Sequence, residues 1–229
     1  MIRVVLFDID GTLIDTGGAG RQAIERAFYE LHGIESGARA IDFGGRTDRS
    51  LFDELYQAHR LTRSAAGHER FTTTYFHLLH EYLLNQEPVC LPGARKLVQG
   101  LREEFPEILL GLLTGNARLA AEIKLRHYDL WSAFGFGAFG DEHSHRNTLA
   151  RMAFERSDQV LDQRIEADEV LVIGDTLHDI RCAQSIGAQC LAVATGGVTE
   201  SRLREGRANE VVPDLMGVRP ASVAAGFKR

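Results

Sequence analysis

The chain has little of several residue types that would point to particular classes of protein. Only three of its 229 residues are cysteines, Cys90, Cys182 and Cys190, and no two of them have the spacing of a metal or redox motif. An odd count of this kind argues against a disulfide framework and is typical of a reducing compartment. We therefore expect free thiols and a cytoplasmic protein.

The sequence also lacks long apolar runs and an excess of positive charge. No apolar run approaches the ~18 residues of a membrane span, and no basic segment with an apolar stretch precedes the first predicted strand. The formal net charge is -6, so no basic stripe would neutralise the phosphates of a nucleic acid. We expect neither a nucleic acid nor a membrane as a partner.

What the chain does contain is enough apolar sequence for one substantial core. Hydrophobic residues make up 44% of the chain, which at this length suffices for a core with a smaller satellite domain. Segments with helical spacing alternate with short apolar runs, which predicts an α/β fold with a doubly wound, Rossmann-like parallel sheet. The apolar runs that predict buried strands cover residues 3–7, 109–113, 170–173, 190–193 and, weakly, 211–212.

The segment 16–86 departs from this alternation, because it contains only helical patterns. We therefore predict that residues 16–86 form an inserted α-helical cap domain. Residues 1–15 and 87–229 would then form the α/β core domain. The helical patterns lie around residues 23–31, 51–55 and 71–82.

Polar residues follow the predicted strands at their carboxyl ends. In open parallel sheets, ligands bind beyond these ends, so the polar residues there are candidates for a functional site. A basic residue in the connection before the 170–173 strand adds a positive charge to the set. In chain order the candidates are Asp8 and Asp10, then Thr114, Gly115 and Asn116, then Arg146, and last Asp175 and Asp179.

Several carboxylates that converge at one sheet edge would repel one another unless a cation neutralised them. Oxygen ligands without a cysteine or histidine at coordinating spacing favour Mg²⁺ over Zn²⁺. Mg²⁺ commonly binds one or two carboxylates together with waters and a substrate phosphate. The pattern therefore predicts Mg²⁺ as cofactor and a small phosphorylated metabolite as partner. Thr114, Arg146 and backbone N–H groups would hold the phosphoryl oxygens.

The motif series DIDGT, LLTGN, a distal basic residue and GDTLHD resembles the haloacid dehalogenase superfamily. Within it, the chain is similar to phosphoglycolate phosphatase-like hydrolases with a small helical (C1-type) cap inserted after the first motif. The resemblance covers essentially the whole chain. The pairing of DxDGT with GDxxxD roughly 165 residues later is its most specific part.

The resemblance implies a Mg²⁺-dependent phosphatase and a role for each motif residue. Asp8 would attack phosphorus and become an aspartyl-phosphate. Asp10 would protonate the leaving oxygen and then activate the water that hydrolyses this intermediate. The Asp8 carboxylate, the Asp10 backbone carbonyl and Asp175 would bind Mg²⁺, with Asp179 binding through water or orienting the site. Thr114 would hydrogen-bond the phosphoryl group.

Two motifs depart from the family's usual pattern. The third motif is usually a lysine; by position and charge Arg146 takes its place, and Lys124, whose mid-helix position predicts exposure, is the alternative. The second motif reads Thr-Gly-Asn, so the substrate contact falls on Gly115 or Asn116. In the inserted segment, Arg46 of FGGRTDRSL either grips an anionic substrate tail or is a solvated arginine before a helix.

Other chemistries within the same superfamily are less well matched. Sugar-phosphate mutases are the first alternative, but they carry a histidine shortly after the first motif, at a position that corresponds here to Gly20. Phosphonate-cleaving members need a lysine in the cap, and segment 16–86 contains none. A phospho-accepting signalling module is the alternative from another class, although such modules lack both the inserted cap and an equivalent of Asp10.

Overall fold

The computed structural model describes residues 1–85, 87 and 89–227. Within these residues, parallel strands form one six-stranded sheet, as the sequence predicts. The strands are β1 (Val4–Phe7), β2 (Leu109–Leu113), β3 (Phe136–Ala138), β4 (Val170–Gly174), β5 (Gln189–Val193) and β6 (Glu210–Val212). Their order is β3-β2-β1-β4-β5-β6, the arrangement of doubly wound folds in which the winding direction reverses beside β1.

Helices connect the strands and cover both faces of the sheet. All four residues of β1 are buried, because alternate side chains enter two separate hydrophobic clusters. Val5 and Phe7 lie in one cluster, and Val4 and Leu6 lie in the other. In chain order the helices are α1 (Ala19–His32), α2 (Asp48–Ala58), α3 (Ala65–Leu84), α4 (Ala94–Glu104), α5 (Arg118–His127), α6 (Arg146–Leu161), α7 (Leu177–Ile186), α8 (Glu200–Glu205) and α9 (Pro220–Ala225).

Strand β3 lies outside the apolar runs that predict strands. Its three residues, Phe136, Gly137 and Ala138, include no β-branched side chain, so the local sequence has little strand propensity. The strand forms because its register places Gly137 beside Leu112 of β2 at the edge of the sheet. The other five strands match the predicted runs to within about two residues at each end.

Helices α1, α2 and α3 follow β1 and pack through aromatic side chains. Phe52 of α2 meets Phe71 of α3 edge to face, with 4.9 Å between ring centroids, and Phe28 of α1 meets Phe71 at 6.3 Å. Such edge-to-face pairs stabilise a helical core beyond area burial alone. The division into a cap of residues 16–86 and a core stays a prediction, and its boundary residue Gln86 lies outside the described residues.

Two findings bear on the expected class of protein. Cys90, Cys182 and Cys190 are all free, as their number and spacing predict. In the described part of the chain, no helix combines the length and apolar character that crossing a membrane requires.

Candidate active site

The candidate residues converge at the carboxyl edge of the sheet. Asp8 follows β1 at the centre of the sheet, and Thr114 and Asp175 follow its two neighbours, β2 and β4. All three residues are buried. The parallel register places these strand ends side by side, which is why residues more than 160 positions apart in sequence meet there.

Three carboxylates form the centre of this site. Oxygen atoms of Asp8, Asp175 and Asp179 lie within 4.8 Å of one another, and all three residues are buried. Burial raises the pKa of Asp175 to about 8, with the Asp179 and Asp8 carboxylates adding to the effect. Burial likewise raises the pKa of Asp8 to about 6, against the lowering effect of Arg146. Keeping these carboxylates ionised therefore costs free energy, and a bound cation would offset this cost.

The turn after β1 brings its backbone close to this cluster. Gly11 has a φ of 78°, and a side chain there would place its Cβ 2.5 Å from an Asp175 carboxylate oxygen. The glycine of DIDGT is therefore required both by the left-handed backbone and by the approach to Asp175. Beside it, Thr12 donates from its hydroxyl to Asp175 Oδ1 at 3.2 Å.

Arg146 is the first residue of α6 and supplies a buried positive charge. Its Nη2 donates to Asp8 Oδ2 at 3.3 Å and to Asp179 Oδ1. Burial alone would lower the pKa of Arg146, but the carboxylates of Asp179 and Asp8 raise it above its usual value. Arg146 therefore brings a buried positive charge to the carboxylate cluster.

Asp179 is held from two sides. Its Oδ2 accepts from the Thr176 backbone N–H at 3.0 Å and from the Thr176 hydroxyl at 2.6 Å, while its Oδ1 accepts from Arg146. The exchange with Thr176 is a capping box at the start of α7. The same carboxylate therefore caps a helix and faces the site.

The expectation that Lys124 faces solvent is wrong. Lys124 is 4% exposed, and its Nζ donates to both oxygens of Asp10, at 2.8 and 2.7 Å, and to Asn116 Oδ1 at 2.7 Å. The physical reason is that α5 turns this position toward the interior. Ala120, Ala121 and Leu125 share the buried face of the helix with Lys124, and a lysine within such an apolar stripe was the signal available in the sequence.

The second motif links Asp10 to Thr114. The Asn116 side-chain amide donates to Asp10 Oδ2 at 2.7 Å and to Thr114 Oγ1 at 2.9 Å. The Thr114 hydroxyl also accepts from the Asn116 backbone N–H at 3.2 Å. Since its oxygen accepts in both contacts, the Thr114 hydroxyl proton remains available for a ligand.

The loop that carries Arg46 lies directly against the second motif. A side chain at Gly115 would place its Cβ 1.9 Å from the Arg46 carbonyl oxygen, so only glycine allows this approach. The Arg46 side chain runs along α2, where Nη1 pairs with Glu54 and Nε donates to Ser50 Oγ at 3.4 Å. Arg46 lines the cavity over the site, but its guanidinium is already paired.

Asp48 is a site residue that motif reading missed. Its backbone N–H donates to the Gly115 carbonyl at 2.7 Å, and its Oδ2 accepts from the Ala117 N–H at 2.8 Å. These bonds join the first turn of α2 to the loop after β2. In the sequence Asp48 looks like an ordinary first-turn acid behind the Thr47 cap, so local pattern offers no signal for this long-range contact.

The buried Asp48 carboxyl makes stability depend on pH. Burial raises its pKa from 3.8 to about 6, against the lowering effects of the Ala117 N–H and Lys124. The raised pKa means that the ionised carboxylate is disfavoured in the folded state, a cost that is present above pH 6 and is lost as the pH falls toward 4.

The substitution Asp48→Asn removes this titration. We consider the free energy of unfolding of the variant minus that of wild type. This difference is expected to be largest near pH 7.5 and to be smaller by roughly 2 to 3 kcal/mol at pH 4. Urea unfolding across this pH range measures the difference. Asp168→Asn, at an exposed position at the opposite end of the sheet, is the control, and a pH-independent difference for Asp48→Asn would contradict the assignment.

A cavity of about 700 Å³ lies over the carboxylate cluster. Its lining includes Asp8, Asp10 and Asp175 together with Leu51 of α2 and Tyr75 of α3. The cavity therefore lies between the carboxyl edge of the sheet and residues of helices α1, α2 and α3.

The chain is similar to known proteins in sequence and in fold. Residues 5–193 match the family model described as haloacid dehalogenase-like hydrolase. The pyrophosphatase PpaX of Oceanobacillus iheyensis is 23% identical over 95% of each chain. The phosphoglycolate phosphatase of Photorhabdus laumondii is 20% identical over 85% of this chain and 81% of its own. The β-phosphoglucomutase structure from Clostridium difficile has a TM-score of 0.73 at 19% identity, covering 96% of this chain and 94% of its own.

Proposed function

The chain belongs to the haloacid dehalogenase-like hydrolase family, and from that membership we propose that it is a Mg²⁺-dependent phosphatase of small phosphomonoesters. The observation that carries the proposal is the buried cluster of Asp8, Asp175 and Asp179 with Arg146, beside a cavity that Asp8, Asp175 and Arg146 line. Hydrolysis would proceed through an aspartyl-phosphate on Asp8.

The donor set fits a divalent cation of the Mg²⁺ type. The four motif aspartates face two buried cations, Arg146 and Lys124, which leaves two negative charges for one divalent ion to balance. All candidate donors are oxygens, which hard cations prefer. Asp8, Asp175 and the Asp10 backbone carbonyl would hold Mg²⁺, with Asp179 orienting Arg146. Mg²⁺ when bound would neutralise charge on the phosphoryl oxygens.

Asp8 is suited to act as the nucleophile. Its Oδ1 accepts from the Ile9 backbone N–H at 2.8 Å, and its Oδ2 accepts from Arg146. These two bonds fix the orientation of the carboxylate, and a fixed orientation lowers the entropic cost of attack. Asp8 lines the cavity, so a phosphoryl group there would lie within reach.

Asp10 is suited to the proton transfers. It is two residues from Asp8, and its side chain is 41% exposed, whereas that of Asp8 is 8% exposed. A carboxylate that opens into the cavity can reach the leaving oxygen of the substrate and later the attacking water. The Thr114 hydroxyl and Arg146 would hold the phosphoryl oxygens during both steps.

The substrate class follows from the cavity and the relatives. Phosphoglycolate is the first candidate, because a relative carries the name phosphoglycolate phosphatase. Pyrophosphate is included because another relative is named a pyrophosphatase. Of the two second-motif candidates, Gly115 would contact the phosphoryl group, because both side-chain amide hydrogens of Asn116 already donate to Asp10 and Thr114. Arg46 would assist only after releasing Glu54. We place this activity in the cytoplasm, in keeping with the three free thiols.

Hydrolysis is favoured over phosphoryl transfer between sugar positions. The position that carries a histidine in the mutases is Gly20 here, and the space beside it is taken by the Lys124 ammonium. The chain has no side chain at that position to keep water from the phosphoenzyme.

The test is phosphate release from a panel of small phosphorylated compounds. The panel contains phosphoglycolate, sugar phosphates, nucleoside monophosphates and pyrophosphate, each with Mg²⁺ and with excess chelator. We expect turnover of at least one compound with Mg²⁺ and a loss of about 10²-fold or more on chelation. Turnover that is unchanged by chelation would remove Mg²⁺ from the proposal, and absence of turnover with every compound would contradict phosphatase activity.

A further inference from the structure

The Lys124 ammonium is fully engaged by two side chains of the site. Its three hydrogen bonds, two to Asp10 and one to Asn116, use all three of its N–H donors. No donor is left for a ligand. Lys124 therefore differs from Arg146, which contacts Asp8 and Asp179 at the cluster itself.

Asn116 completes the arrangement around Asp10. Its side-chain oxygen accepts from Lys124, and its side-chain amide donates to Asp10 Oδ2. The two Asp10 oxygens thus receive three hydrogen bonds of 2.7 to 2.8 Å from Lys124 and Asn116. Charge-assisted bonds of this length fix a carboxylate in one orientation.

Asp10 nonetheless remains open to the cavity. The Lys124 side chain is 5% exposed, whereas the Asp10 side chain is 41% exposed and lines the cavity. Burying an ammonium costs several kcal/mol unless a partner of opposite charge compensates it. Among the described residues, Lys124 forms an ion pair with Asp10 and with no other carboxylate. The Asp10 carboxylate therefore compensates the buried ammonium, and the ammonium in turn holds the carboxylate.

The backbone of α1 leaves room for the ammonium. Gly20 has no side chain, and a Cβ at this position would lie 3.4 Å from Lys124 Nζ. A larger residue there would extend into the space of the ammonium. The first turn of α1 thus lies against the ammonium that pairs with Asp10.

We infer that Lys124 and Asn116 form a clamp that sets the orientation of Asp10 for its proton transfers, which makes Lys124 a positioning residue. The inference rests on the proposed function, since it assigns Asp10 the acid and base role. General acid–base catalysis typically accelerates a reaction by about 10²- to 10⁴-fold, and a misplaced acid or base loses much of this acceleration.

The first test replaces Lys124 by methionine, which keeps the volume of the side chain and removes its charge. With the best substrate of the panel, kcat is expected to fall by about 10² while KM changes by less than about threefold. Lys96→Met, at an exposed lysine on α4, is the matched control and should leave both constants unchanged. An unchanged kcat in Lys124→Met would overturn the inference.

The second test asks whether Lys124 acts through Asp10. In the Asp10→Asn background, adding Lys124→Met is expected to change kcat by less than about threefold, because the carboxylate to be positioned is already absent. A further loss of about 10² in the double variant would show that Lys124 acts independently of Asp10. A general loss of structure would lower kcat in both backgrounds, so this cycle separates positioning from folding.

Folding is checked by thermal unfolding of each variant. If Lys124→Met is poorly folded, the same double-mutant cycle with Asp10→Asn is measured with Lys124→Gln, because glutamine retains a hydrogen-bond donor and removes the charge. Wild-type turnover separates the two hypotheses: its absence contradicts the proposed function, whereas wild-type turnover with an unaffected Lys124→Met contradicts the clamp alone.

Discussion

Asp8→Asn is expected to abolish phosphate release, with a loss in kcat on the order of 10⁴-fold or more. A neutral amide cannot attack phosphorus as a carboxylate does, so no phosphoenzyme would form. Mg²⁺ binding should weaken as well, because one of the three buried carboxylates of the cluster becomes uncharged. Steady-state phosphate release measures the first effect, and calorimetric titration with Mg²⁺ measures the second.

Asp168→Asn is the control for this substitution. Asp168 is an exposed aspartate before β4, at the end of the sheet opposite to the site, and the change is chemically identical. It should leave turnover and Mg²⁺ binding unaltered. If Asp8→Asn still hydrolyses the substrate, Asp8 is not the nucleophile and the proposed aspartyl-phosphate mechanism is wrong.

Arg146→Met is expected to affect both stability and activity. The substitution leaves Asp8 and Asp179 buried without the cation that they share, and removing one partner of a buried ion pair typically costs about 3 to 5 kcal/mol. If Arg146 holds the phosphoryl oxygens as proposed, its loss should also lower kcat/KM by roughly 10²- to 10³-fold. Urea unfolding and steady-state kinetics measure these two losses.

Two further variants give this prediction its controls. Arg151→Met lies at an exposed position on the same helix and should change neither quantity. Arg146→Lys keeps the charge but loses the planar fork, so it should recover part of the activity. Full stability of Arg146→Met in Mg²⁺-free buffer would contradict a structural role for the ion pairs.

The fold class could be predicted because its signals are local. The runs that become β1, β2, β4 and β5 are apolar, and an α/β sheet buries such runs on both faces. The short strand β3 carries no such signal, since Phe136, Gly137 and Ala138 form a strand only through pairing with β2. Local propensity therefore accounts for most of the sheet, and tertiary pairing accounts for its edge.

The candidate site divides in the same way. Asp8, Asp175 and Thr114 could be predicted as neighbours, because each directly follows a strand of a parallel sheet. Lys124 and Asp48 lie within helices, where the sequence does not specify which distant group they meet. The contacts of Lys124 with Asp10 and of Asp48 with Ala117 depend on how α5 and α2 pack against the loop after β2.

The sequence by itself determined most of the sheet, the helical patterns between β1 and β2, and the acidic motifs that identify the family, because hydrophobic period and strand-end position are properties of short segments. Only the tertiary structure decided which charges pair. It assigned Arg146 to Asp8 and Asp179, and Lys124 to Asp10. The physical reason is that ion pairing falls off with distance and depends on burial, and both are set by packing between residues far apart in the chain.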